Sequence, residues 1–126
     1  MARRIAVIDD DEAIRDLLAE LLTDEGYEPL VFADGTAALP ALSGHPPDAL
    51  ILDLRLPSPR DGWALLALLR ADPVLRTVPV LICSGDQSAI WEQGACLDRP
   101  DCAVLAKPFD LDDLLALLQQ LIDGPA

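Results

Sequence analysis

The chain has 126 residues, 52% of them hydrophobic and 25% charged, and nine basic against twenty-two acidic side chains give it a net charge of −13. That length makes one domain with a real hydrophobic core and no room for a second. The apolar runs are too short to cross a bilayer, and the acidic surplus repels nucleic acid while favouring a cation or a basic protein partner.

Strand-like and helix-like segments alternate along the chain with short connections, the pattern of a parallel sheet covered by helices on both faces. The first strand is expected at about residues 4–8, followed by a helix carrying Ile14, Leu17, Leu18, Leu21 and Leu22 at helical spacing and ended by Gly26. A second strand at 28–32 leads through Asp34-Gly35 into a weak helix, whose Pro40 must lie near its first turn or kink it. The third strand, 49–53, is continuously apolar, as a central parallel strand should be, and Gly62 to Arg70 forms the next helix. A fourth strand is expected from Val78 to Cys83. After it, Ser88 to Glu92 reads as a shortened helix and the rest of 86–101 as loop. The fifth strand covers 102–106, and Asp110 caps a final helix with a wide leucine face. The expected count is five strands and five helices.

No secretory leader is read, because Arg3-Arg4 runs straight into the first strand. Three cysteines, Cys83, Cys96 and Cys102, make no disulfide framework, so a cytoplasmic, reducing setting is expected. They offer too few ligands for a zinc site.

Chemistry gathers where the strands stop. Asp9-Asp10-Asp11 follows the first strand, Asp53 ends the third, Ser84-Gly85 follows the fourth and Lys107-Pro108 the fifth. Parallel strands would bring all of these to one end of the sheet, where open α/β sheets place their sites. Carboxylates crowded together need a cation, and oxygen donors suit a hard ion such as Mg²⁺, so Asp9, Asp10 and Asp53 form the expected ligand set. Asp11 reads as a helix cap. A carboxylate beside a metal is a competent nucleophile toward phosphorus, and an aspartyl phosphate is a known type of covalent intermediate, so Asp53 is a candidate nucleophile. The Lys107 ammonium would pair with Asp53 before transfer and with a phosphoryl oxygen after it, and the Ser84 hydroxyl would meet another. Alone, each feature has an ordinary reading: a surface lysine, a Ser-Gly turn, a helix cap. Their coincidence at four strand ends gives them weight.

With Ile8-Asp9-Asp10, Asp53, Ser84 and Lys107-Pro108-Phe109 in place, together with Gly35 and the Leu69-Arg70-Ala71-Asp72-Pro73 stretch, the chain resembles a response-regulator receiver domain of two-component signalling over essentially its whole length. The resemblance implies a flavodoxin-like (βα)5 fold, a doubly wound parallel five-stranded sheet in the order 2-1-3-4-5. It implies that Asp53 takes a phosphoryl group from a histidine kinase or phosphotransfer protein, and that the domain catalyses this transfer and the later loss of phosphate at its own Asp. Mg²⁺ would be held by Asp9, Asp10, Asp53 and the backbone carbonyl of Arg55, and the output would pass to a downstream protein target. Residues 1–126 then form a single receiver with no output domain, stand-alone or excised from a larger protein, with no membrane or direct nucleic-acid partner and with dimerisation left open.

Some positions depart from the family. Val104 stands where its switch aromatic usually lies, three residues before the lysine, and the loop after Asp53, Leu54 to Gly62, is one residue longer than in many relatives and has two prolines, Pro57 and Pro59. The degraded helix around 88–101 leads to the expectation that phosphorylation orders residues 85–101, with Trp91 as the mobile apolar group. Two rival readings remain: a receiver-like binding scaffold that is not phosphorylated, and a Mg²⁺-dependent phosphatase of the haloacid-dehalogenase type, imitated by Asp9-x-Asp11. The second would put the nucleophile on Asp9 and needs a late acidic pair that this chain lacks.

Overall fold

Each strand in the computed structural model is a five-residue segment drawn from the apolar runs: β1 (Arg4–Ile8), β2 (Glu28–Phe32), β3 (Ala49–Asp53), β4 (Val80–Ser84) and β5 (Cys102–Ala106). The structure describes residues 3–53, 59–84, 102–106 and 110–123. Among these the helices are α1 (Glu12–Asp24), α2 (Gly35–Gly44), α3 (Pro59–Ala71) and α4 (Leu111–Asp123). All strand pairs are parallel and the sheet order is β2-β1-β3-β4-β5, the order expected. The short helix expected at Ser88–Glu92 lies outside the described residues.

Strand alternation divides the core in two. Ala6, Ile8, Leu50, Leu52, Val80 and Ile82 face α2 and α3, while Ile5, Val7, Ala49, Ile51, Leu81 and Cys83 face α1 and α4. Burial on both faces is why β1 and β3 read as unbroken apolar runs. At about 1.5–3 kcal/mol for each large apolar side chain removed from water, these central strands supply much of the driving force. In α1, Leu18 and Leu22 are buried, and Gly26, at φ +88, takes the left-handed conformation that ends the helix as expected.

Of the two placements expected for Pro40, the structure has the second: it sits in the interior of α2, where its missing N–H removes the bond to the Thr36 carbonyl. Three expectations need correction. Helix α3 begins three residues before Gly62, at Pro59, because a proline at the first helical position lacks only a donor that would be unpaired there anyway. Strand β4 starts at Val80 and runs through Ser84, because Pro79 has no N–H to give the ladder and Val78 instead donates to the Leu75 carbonyl at 3.0 Å. Finally, Cys102 is disulfide-bonded, whereas Cys83 is buried in the core. Pairing depends on Cα separation and side-chain direction, which a cysteine count does not contain; Cys96 lies outside the described residues.

Helices α2 and α3 lie side by side. The Ser43 hydroxyl donates to the Asp72 carboxylate at 2.7 Å, and Asp72 also accepts from the Val74 and Leu75 amides. These bonds, Ser43's foremost, lower the Asp72 pKa. The stability they lend is therefore present above the ordinary carboxylate pKa and lost as pH falls through the lowered value. At the other end of α2, a Cβ on Gly35 would stand 2.7 Å from Leu65 Cδ1, whereas one on Gly44 would meet nothing within 4 Å. Urea unfolding is expected to show Gly35→Ala losing about 1–2 kcal/mol by overpacking against the buried Leu65. Gly44→Ala should be neutral or slightly stabilising; equal effects of the two would remove the close approach as the reason for Gly35.

Candidate functional site

Register brings the first two acidic side chains together. Strands β1 and β3 pair with Ile8 opposite Leu52, so one residue further on Asp9 comes level with Asp53. Neighbouring strands lie about 4.8 Å apart, and residues at equivalent positions point to the same face. Both carboxylates are buried, Asp9 at 3% and Asp53 at 5% exposure, and among the described residues they are the only buried charged groups. The sheet order reverses between β1 and β3, since the chain leaves β1 toward β2 on one side and returns as β3 on the other. The two aspartates thus stand at the topological switch point, in the crevice that this architecture leaves open.

The turn after β1 is fixed by its own hydrogen bonds. The Asp9 amide donates to the Phe32 carbonyl at 3.1 Å, and the Asp11 amide donates to Asp9 Oδ1 at 2.9 Å. Arg15 Nη1 reaches back from the first turn of α1 to the Asp9 carbonyl at 2.9 Å. Asp11 caps α1 as expected, accepting from the Ala13 and Ile14 amides. That duty keeps Asp11 out of the cluster and leaves Asp10 exposed beside it. Carboxylate oxygens of Asp9, Asp10 and Asp53 lie within 4.8 Å of one another.

Three carboxylates at this spacing repel, and two of them are largely shielded from solvent. A hard divalent cation accepting oxygen ligands relieves that repulsion, and an all-oxygen donor set with one open, exposed side fits Mg²⁺, which keeps several waters of its own. The three residues read from the sequence as ligands are therefore the three that the fold assembles.

Ser84 ends β4 and pairs with Ala106, the last residue of β5; Lys107 is the next residue in the chain and lies outside the described residues, as do Arg55, Pro108, Phe109, Trp91 and the 85–101 segment. Asp53 is level with Cys83 of β4. Val104 is half-buried on β5, level with Ile82, and packs against the α2/α3 side of the core. Sequence reasoning did not find Arg15, whose contact is with a backbone carbonyl; no side-chain pattern announces such a bond.

The family model for the response regulator receiver domain matches residues 5–119. Transcriptional regulatory protein TcrA of Mycobacterium tuberculosis is 39% identical over 94% of this chain, which spans 45% of TcrA's length. Among solved structures, a putative response regulator from Chloroflexus aurantiacus is 32% identical with a TM-score of 0.83, covering 98% of this chain and 99% of its own. The receiver domain of the sensor histidine kinase PA1611 from Pseudomonas aeruginosa, with a magnesium ion coordinated in its active-site cleft, is 27% identical with a TM-score of 0.82, covering 98% and 99%.

Removing one charge from the cluster should show its electrostatic cost. In metal-free buffer, Asp10→Asn is expected to raise stability by about 0.5–1 kcal/mol, since it is the exposed member of a repelling set. Saturating Mg²⁺ should raise the wild-type Tm more than the variant's. Equal Mg²⁺ shifts for the two proteins in a thermal melt would remove Asp10 from the donor set.

Proposed function

The chain belongs to the response regulator receiver family of two-component systems, and from that premise we propose that it is a phosphoacceptor whose acceptor is Asp53. The observation that carries the reading is the meeting of buried Asp9 and Asp53 with Asp10 at the end of the sheet. The magnesium ion coordinated in the active-site cleft of the PA1611 receiver supports a magnesium site here.

The donor is a phosphohistidine on a histidine kinase or phosphotransfer protein, or a small acyl phosphate in its place. A carboxylate oxygen of Asp53 attacks the phosphorus and the new O–P bond forms as the bond to the donor breaks: the P–N bond of phosphohistidine, whose departing imidazole takes up a proton, or the P–O bond of an acyl phosphate, which departs as a carboxylate. The ion, when bound, supplies neutralisation of the charge that gathers on the phosphoryl oxygens. Asp9 and Asp10 hold it. Asp11 and Arg15 act on Asp9, fixing its carboxylate and its carbonyl so that the oxygens keep their spacing. Ser84 and Lys107 bind phosphoryl oxygens, and the Arg55 carbonyl completes the metal's protein ligands. Water later attacks the same phosphorus, breaking the O–P bond and returning Asp53 to a free carboxylate. No substrate other than its own aspartate is turned over, so the domain acts as a switch read by a protein partner.

A non-phosphorylated scaffold is the second reading, favoured by Val104 on β5 where a ring is usual. The two separate cleanly. Intact mass after incubation with Mg²⁺ and acetyl phosphate is expected to show one phosphoryl adduct on the wild type, lost with EDTA and lost in Asp53→Asn. Metal binding without an adduct on the wild type would favour the scaffold.

A further inference from the structure

Cys102 takes no part in the carboxylate cluster, yet it carries a covalent bond. It is the first residue of β5, it is disulfide-bonded, and it is half-buried. Register and count identify the other half of the bond. The chain has three cysteines, Cys83, Cys96 and Cys102. Cys102 is level with Val80 on β4, whereas Cys83 is level with Leu105, three residues further along. At about 3.3 Å per residue that offset is roughly 10 Å, beyond the ~7 Å that a disulfide spans between Cα atoms. The two side chains also lie on opposite faces of the sheet, Cys83 in the core under α1 and α4, and Cys102 against the core under α2 and α3. Geometry excludes Cys83, and within one chain Cys96 alone remains.

We infer that Cys96 and Cys102 form a redox-responsive pair whose bond governs how firmly β5 is held in the sheet. Strand β5 lies at the edge, after β4 in the sheet order. Its Cys102, Ala103, Val104 and Leu105 are only half-buried, while the apolar residues of the central β1 and β3 are almost wholly shielded. An edge strand with so little burial opens at lower cost than a central one, so a cross-link at its first residue counts for more there. The far end of β5 leads to the site: Ala106 is level with Ser84, and Lys107 is the next residue in the chain. Oxidation ties the strand at one end and steadies what it carries at the other.

The chemistry favours a bond that forms and breaks. Six positions separate the two cysteines, so closing the ring takes little entropy from the unfolded chain and adds less stability than a long-range bridge would. Cys102 is not sealed in the core as Cys83 is, and thiolates in solution can reach the bond. With glutathione disulfide as oxidant, one protein thiolate attacks its S–S bond, a mixed disulfide forms and a glutathione thiolate leaves. The second protein thiolate attacks the protein sulfur of that mixed disulfide and displaces the other glutathione. The protein gives up two electrons and two protons, and the oxidant becomes two thiols; reduced glutathione reverses both steps.

The test equilibrates the whole chain in glutathione buffers from reducing to oxidising, quenches it in acid, alkylates it in denaturant and reads intact mass. One alkylated cysteine is expected at the oxidising end and three at the reducing end, and peptide mapping should join Cys96 to Cys102. Hydrogen exchange of the Ala103–Ala106 amides should be several-fold slower in the oxidised chain, with β1 unchanged. Cys102→Ala should exchange like the reduced chain in either buffer. Phosphoryl acceptance from acetyl phosphate should be several-fold faster when oxidised. That last readout rests on the phosphoacceptor reading: no acceptance in either state would end that reading, while thiol count and exchange still decide this one. A cysteine count that ignores the buffer, a bridge to Cys83 or between two chains, β5 exchange that ignores the redox state, or equal rates of acceptance would overturn the inference.

Discussion

The parallel register between β1 and β3 is the constraint on which the rest depends. It is set by apolar burial: Ile5, Ala6, Val7 and Ile8 on one strand and Leu50 and Leu52 on the other are almost wholly shielded, so a slip of one residue would turn every side chain to the wrong core. The hydrophobic free energy of the central strands therefore holds two carboxylates together that would otherwise separate. The carboxylate cluster is placed by the core, and the electrostatic cost at the strand ends is one that a divalent cation would relieve.

The backbone around the site does the finer positioning. Asp9 is tied through its amide to β2, through its carboxylate to the Asp11 amide and through its carbonyl to Arg15 of α1. One residue thus joins a strand pair, a helix cap and the three-carboxylate cluster. The Asp10 side chain, by contrast, is exposed. A buried, fixed oxygen beside an exposed one suits an ion that must be captured from water and keep part of its shell.

Much of this was legible in the sequence for a physical reason. Continuous apolar runs ending in Asp9 and Asp53 announce central parallel strands, and once the strands are parallel their ends must share one rim. The bounds of β1, β2, β3 and β5 follow from the same pattern. What was not legible depends on groups that leave no side-chain signature. Pro59 could be loop or first helical residue, and only the fold decides. Pro79 withheld a donor and moved the start of β4. The Cys102 disulfide depends on distances that composition does not carry, and the Arg15 contact goes to a backbone oxygen.

The central claim is that Asp9, Asp10 and Asp53 form one cation site at the end of the sheet. Anomalous diffraction from crystals of the chain grown with Mn²⁺, a hard ion that stands in for Mg²⁺ and scatters anomalously, tests it most directly. The account predicts one strong anomalous peak bonded to oxygens of all three aspartates. A peak held elsewhere, or carboxylates of Asp9 and Asp53 that share no ion at saturating metal, would contradict it.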